Sequence, residues 1–235
     1  MVGANSPKPL ISLRHVGFSY GKPGASFWGR RAEHSAIRDI SFDVYPGETV
    51  GIIGGNGAGK TTLLKLIAGV LKPAVGTITR ADVRISMLSL QVGFLPHLTG
   101  RENAILGGLL LGLSKEQAKK NLALIEEFSE LQAFIDEPFG TYSSGMKARL
   151  GFSVAYFASN EVVLIDEVLG VGDRDFRIKS TAAIKEMITT NRTVVLVSHN
   201  VATLRETANR VVWISEGATH MEGDTADILE AYAAS

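Results

Sequence analysis

Three stretches of the chain are apolar almost without interruption: Thr49-Val50-Gly51-Ile52-Ile53, Val162-Val163-Leu164-Ile165 and Thr193-Val194-Val195-Leu196-Val197. Short runs rich in β-branched residues match strands covered on both faces, as in a parallel sheet. Residues 38–45 behave differently. Ile40, Phe42 and Val44 alternate with Ser41, Asp43 and Tyr45, the period of a strand with one wet face. Leu10–Val16 reads as a first strand and Val211–Ile214 as a last one. Leu63, Leu64, Ile67, Ala68 and Leu71 recur with helical period, and Pro73 stops that helix. From about residue 98 to 158 strand signals vanish. Arg101–Leu113 reads as a helix. Ser114-Lys115-Glu116-Gln117 forms a capping box that opens a second, with Ala118, Leu122 and Ile125 on one face. Ser143 or Ser144 caps a third, running to about Ala158. Further helices are expected over Ile178–Thr190 and Ala202–Ala208. The pattern predicts an α/β core with a mostly parallel sheet and a helical block inserted into it.

The chemistry gathers at the ends of the apolar strands. Gly54-Gly55-Asn56-Gly57-Ala58-Gly59-Lys60-Thr61-Thr62 fits G-x-x-x-x-G-K-[ST], and it lies between a strand and a helix as that motif requires. A glycine-rich turn at a helix N-terminus surrounds a phosphate chain with backbone N–H groups and the positive end of the helix dipole. Lys60 can reach the β/γ-phosphates, and the Thr61 hydroxyl can ligate Mg²⁺. Val162–Ile165 runs into Asp166-Glu167. Asp166 is suited to hold Mg²⁺, usually through water, and Glu167 to orient and polarise an attacking water. The strand Thr193–Val197 ends in Ser198-His199, which puts an imidazole where it can sense a γ-phosphate. Tyr142-Ser143-Ser144-Gly145-Met146 opens a helix with two hydroxyls and a glycine, a second anion-binding start.

Composition narrows the classes. The chain has 235 residues, 45% of them hydrophobic, with 24 Lys+Arg against 24 Asp+Glu. Zero net charge gives no reason to expect nucleic acid as the main partner. The absence of cysteine excludes disulfides and thiolate-bound metals. Residues 1–9 read as a disordered start without the apolar core of a signal peptide. The greasiest run, Ile105–Leu113, is too short to span a bilayer, which takes about 20 residues. Work at a membrane would need another subunit to do the spanning. Gly21–Ser35 reads as a surface insertion, where Phe27 and Trp28 beside Arg30 and Arg31 either face a membrane or its proteins or tuck against the body.

The glycine-rich loop, Ser143-Ser144-Gly145, Asp166-Glu167 and His199, in this order, resemble the ATP-binding cassette ATPases. Tyr142–Met146 resembles their signature motif, usually Leu-Ser-Gly-Gly-Gln, and departs from it at Tyr142, Ser144 and Met146. The form Tyr-Ser-Ser-Gly-Met, with Leu98-Thr99-Gly100-Arg101-Glu102-Asn103 and the run Ile165–Asp173, resembles the ATPase subunits of bacterial exporters of O-antigen, capsular polysaccharide and teichoic acid. The likeness spans about residues 10 to 232.

It implies a P-loop NTPase (RecA-like) core with an N-terminal antiparallel β portion, 1–95 and 159–235, and a helical subdomain, 96–158. It also implies ATP and Mg²⁺ as cofactors and a homodimer in which Ser143 and Gly145 meet the partner's nucleotide. A membrane permease would dock on the helical subdomain, holding the chain indirectly at the cytoplasmic side of the plasma membrane. Tyr20 matches the aromatic that stacks on adenine, with Phe27 and Trp28 as rivals. Asp173 matches the dimer-contacting aspartate, and Gln91 is nearest to the glutamine that couples metal site to transporter. Some relatives carry a C-terminal carbohydrate-binding domain; the end at Ser235 reads as an exporter subunit that does not recognise a glycan cap. Two alternatives stay open: the ATPase of a lipid, drug or solute transporter, and a soluble cassette ATPase acting on DNA or ribosomes.

Overall fold

The structure is a computed structural model and describes residues 8–21, 34–88, 93–166, 172–190 and 192–235. In chain order the elements are β1 (Ile11–Tyr20), β2 (His34–Val44), β3 (Thr49–Ile53), α1 (Lys60–Ile67), β4 (Val75–Arg80), β5 (Ile85–Leu88), α2 (Gly100–Leu110), α3 (Lys115–Ser129), a 3-10 turn (Phe139–Thr141) and α4 (Ser144–Phe157). Then come β6 (Val162–Asp166), α5 (Arg174–Thr189), β7 (Thr193–Val197), α6 (Val201–Thr207), β8 (Arg210–Ser215), β9 (Ala218–Asp224) and α7 (Thr225–Ala233). They divide between two compact units: Met1–Val83 with Asn191–Ser235, and Arg84–Thr190.

The first unit is built on β3. It pairs in parallel with β7 on one side (Ile52 opposite Val197) and β8 on the other (Ile53 opposite Trp213). Every residue of β3 and of β7 is buried, which is why these strands read as unbroken apolar runs. Gly51 is small because α6 and β8 press onto it: a Cβ there would lie 2.9 Å from Leu204 Cδ2 and 3.1 Å from Ala208 Cβ. β8 turns back into β9 through Glu216 and Gly217, both at positive φ, and β9 meets β2 through Asp39 opposite Ala218. β1 lies antiparallel between β2 and β4, giving the antiparallel N-terminal portion.

Several expectations need correction here. Val211–Ile214 is not the last strand, since β9 and α7 follow it. β9 and β4 escape the hydrophobic pattern because most of their residues are exposed. The α1 stripe is shorter than expected. The helix stops at Ile67, Ala68 and Leu71 are only half-buried, and Leu66 and Thr62 are buried instead. Arg80 of β4 helps to end it, donating to the carbonyls of Leu66 (2.6 Å) and Ile67 (3.0 Å), a cation at the negative end of the helix dipole.

In the second unit β5 and β6 pair in parallel, and α2, α3 and α4 pack on one another. Their core is Ala104, Ile125, Leu131, Ile135, Phe139, Tyr142, Leu150 and Val154. α2 ends at Leu110, short of Leu113, and α5 begins at Arg174, four residues before the expected Ile178, because Asp173 caps it through a hydrogen bond from the Phe176 N–H (3.0 Å). The capping box at Ser114 and Gln117 is present as read. No helix among the described residues is long and apolar enough to cross a membrane.

Candidate functional site

The loop from Gly54 to Gly59 leaves the buried end of β3 and becomes α1. Two of its glycines are demanded by packing. A side chain on Gly54 would run into the carbonyl of Ile214 in β8, and one on Gly59 into the carbonyl of Ala36 in β2. Gly59 also holds φ +96° as the residue preceding α1, a left-handed conformation that glycine adopts without a Cβ penalty. Gly57 has φ +80° in open space, so there the backbone angle alone selects glycine.

The start of α1 is bare. No side chain caps it, and no acidic residue lies in its first turn. The first helical carbonyl, that of Gly59, takes the N–H of Leu63 at 2.8 Å. The N–H groups of Lys60, Thr61 and Thr62 precede that bond and have no helical acceptor. A helix start without a carboxylate or hydroxyl cap, packed too tightly at Gly54 and Gly59 for any side chain, is a cradle for an anion. The residues therefore fit a nucleotide phosphate chain.

Lys60 lies back over the loop, and its ammonium donates to the carbonyls of Gly54 (2.9 Å) and Gly55 (3.0 Å). Thr61 is exposed at the helix start, whereas Thr62 is buried and its hydroxyl lies 3.3 Å from that of Tyr20. Tyr20 is 44% exposed, with its ring edge-on to Phe18 at 4.9 Å. A cleft of about 450 Å³ runs beside this strand end, lined by residues including Phe18, Ser35, Ile37 and Val75. A second, of about 300 Å³, is lined by Gly55, Asn56, Gly57, Ala58, Ser215 and Glu216.

His199 sits just beyond β7. Because Ile52 is opposite Val197 in parallel register, Gly54 and His199 leave the sheet at the same edge. Ser198 is buried and its hydroxyl accepts the N–H of Asn200 (3.0 Å). Asn200 then caps α6 by accepting from Ala202 and Thr203. His199, an exposed residue, is thus held between a strand end and a capped helix.

In the second unit Asp166 is the partly exposed last residue of β6, after four fully buried residues. Glu167 and Gln91 lie outside the described residues, as do residues 1–7 of the expected disordered start and Phe27 and Trp28 of the expected insertion. Of the two candidate caps for α4, Ser143 is the one that acts: its hydroxyl accepts the N–H of Met146 at 3.2 Å. Ser143 and Ser144 are exposed, and Gly145 is half-buried. Tyr142 points inward. Its hydroxyl donates to the Phe134 carbonyl at 2.6 Å, and burial pushes its pKa up. Gly100 makes room for it, since a side chain there would overlap the Tyr142 hydroxyl. The signature-like stretch and the Leu98–Asn103 stretch are therefore two halves of one packing arrangement.

Asn103 and Arg149 carry roles the sequence reading did not assign. Asn103 is fully buried. Its amide accepts from the Leu95 N–H (2.8 Å) and donates to the carbonyls of Leu95 (2.9 Å), Thr99 (3.0 Å) and Leu98 (3.2 Å), so one side chain ties down the backbone leading into α2. A polar residue on the α2 face that also carries Ala104 was the available signal. Arg149, on α4, pairs with Asp173 and with Glu130. No local pattern marks those partners.

The model of the family described as ABC transporter matches residues 37–170. The O-antigen export system ATP-binding protein RfbB of Klebsiella pneumoniae is 46% identical over 239 aligned residues, covering 95% of this chain and 97% of that protein. The teichoic acids export ATP-binding protein TagH of Shouchella clausii is 37% identical over 84% of this chain and 54% of its own length. Among solved structures, an ATP-binding cassette dimer in a post-hydrolysis state bound to ADP and Pi superimposes with a TM-score of 0.73 at 22% identity, covering 92% of this chain and 98% of that one. With a bare, glycine-packed helix start after a buried strand and these relatives along nearly its whole length, the chain belongs to the ABC transporter family.

Proposed function

We propose that the chain is the ATP-binding and ATP-hydrolysing subunit of a transporter that exports a lipid-linked cell-surface polysaccharide. The observation that carries the ATPase reading is the start of α1, whose free N–H groups, excluded side chains and overlying Lys60 suit a nucleotide phosphate chain. The export reading rests on similarity over 95% of the chain to an O-antigen export ATP-binding protein.

In this reading Gly54 to Thr62 hold the phosphates, and Lys60 exchanges its bonds to the Gly54 and Gly55 carbonyls for phosphate oxygens. Tyr20 offers an aromatic face to adenine. Thr61 and Asp166, with Gln91, would hold Mg²⁺, which when bound neutralises charge on the transferring phosphoryl group. Glu167 orients the attacking water and His199 contacts the γ-phosphate. Phosphoryl transfer needs positioning and charge neutralisation more than covalent work. Two copies would sandwich two nucleotides, with Ser143, Ser144 and Gly145 of each closing on the other's phosphates and Asp173 at the contact. The α/β core, 1–95 and 159–235, would supply the nucleotide cradle, and the helical subdomain, 96–158, would transmit closure to an integral-membrane permease. The subunit would sit peripherally at the cytoplasmic side of the membrane, with no nucleic-acid partner.

Deleting the gene and tracking surface glycan tests the transport reading. Polymer accumulating inside the cell, with loss from the surface, is the expected outcome. Unchanged surface polymer with a defect in lipid or drug export would transfer the chain to another transporter class.

A further inference from the structure

We propose that Arg149 is a positioning residue that fastens the start of α5, and with it Asp173, to the helix that opens at Ser143. Its guanidinium reaches two carboxylates at once. Nη1 donates to Glu130 Oε2 at 2.9 Å and Nη2 donates to Asp173 Oδ2. Its Cζ lies over the Phe176 ring, 5.3 Å from the ring centre. The close approach requires Gly172, at φ +77°, where a Cβ would meet Phe176 at 3.2 Å and the Arg149 stem at 3.4 Å. Both Asp173 oxygens are engaged, since the other one accepts the Phe176 N–H that caps α5.

The network continues. Glu130, at the C-terminal end of α3 with φ +57°, also takes the Lys179 ammonium of α5 at 2.9 Å, and that ammonium lies 4.8 Å from the Phe128 ring centre. Two cations and two carboxylates thus alternate between α4, α5 and the end of α3. The Phe176 N–H and then Arg149 hold the Asp173 carboxyl below its ordinary range, and Lys179 and then Arg149 do the same for Glu130.

Only an arginine satisfies this geometry. It offers separate donors to two carboxylates while its Cζ lies over Phe176, whereas lysine is a point charge. Both carboxylates are half exposed, so the pairs add little folding free energy. What they add is position. The consequence rests on the proposed function: Ser143 is proposed to meet the partner's nucleotide and Asp173 to make the dimer contact, so one guanidinium makes these two partner-facing points of a chain move together.

The test uses the full-length chain and its variants Arg149→Ala, Arg149→Gln, Arg149→Lys, Asp173→Asn and the Arg149→Ala/Asp173→Asn double variant. Amide hydrogen exchange at the start of α5 and steady-state ATP hydrolysis are measured on each. Arg149→Ala is expected to speed exchange at Phe176 about tenfold, to leave exchange in α1 and ATP affinity unchanged within about twofold, and to lower turnover about tenfold. Gln, which keeps much of the bulk, should resemble Ala, and Lys should recover only part of the loss. The double variant should be no worse than the poorer single one. Unchanged Phe176 exchange in both Ala and Gln variants would overturn the inference, as would additive losses in the double variant. Exchange needs no nucleotide. A wild-type chain that fails to hydrolyse ATP would count against the proposed function, while exchange would still decide the coupling.

Discussion

The two helix starts that the sequence marks as anion sites are built in opposite ways. α1 begins bare: Gly59 offers no side-chain cap, and collisions with Ile214 and Ala36 exclude any side chain at Gly54 or Gly59. α4 begins capped: the Ser143 hydroxyl already accepts the Met146 N–H. A helix start without a cap leaves its donors open to a ligand, so the loop before α1 suits an anion such as a phosphate. A hydroxyl that accepts at the cap keeps its own proton. Ser143 can therefore satisfy its helix and still donate outward to a second anion. In the proposed function the first start would hold its ligand, and the second would touch one that something else holds. That division is what a site shared between two copies needs.

The comparison can be broken in order of expected effect. Glu167→Gln leaves the sequence of both helix starts intact and should lower turnover by about 10³-fold, roughly 4 kcal/mol in barrier, while ATP binding persists. Normal steady-state hydrolysis would remove Glu167 from the chemistry. Lys60→Ala should weaken ATP binding about 100-fold, near 2.7 kcal/mol; unchanged affinity by calorimetry would mean the α1 start is not the cradle. Ser143→Arg places a bulky cation where the second anion should arrive. It should cut hydrolysis about tenfold, near 1.4 kcal/mol, with affinity of the isolated chain retained. Undiminished activity would sink the shared site. Ser143→Ala removes only the cap and should cost about 1 kcal/mol of stability, read as a lowered denaturation midpoint; no change would mean that water replaces the hydroxyl fully.

Most of what surrounds α1 was legible in advance, because each element there has a local cause. β3 and β7 are apolar along their whole length, and the glycines and Lys60 stand at fixed offsets from the helix. Ser114 and Ser143 were readable as caps for the same reason. The two mostly exposed strands, β4 and β9, were not. Val75–Arg80 pairs with β1 and contributes mainly exposed residues, and Ala218–Asp224 is as polar as a loop. Asn103 was visible as a letter in a motif, but not as the holder of three backbone carbonyls.

The sequence alone determined the strand–loop–helix unit at Gly54–Thr62, the carboxylate-tipped strand at Asp166 and the capped start at Ser143, because backbone preference, hydrophobic period and capping chemistry act over a few neighbouring residues. Tertiary structure decided where charge and polarity go. Lys60 folds onto the carbonyls of its own loop, Tyr142 turns inward onto Phe134, and Arg149 finds Glu130 on α3 and Asp173 before α5. A long polar side chain has many possible partners, and its choice depends on which helices the core brings within a few ångströms. That choice is made by packing between distant segments and leaves no periodic trace along the chain.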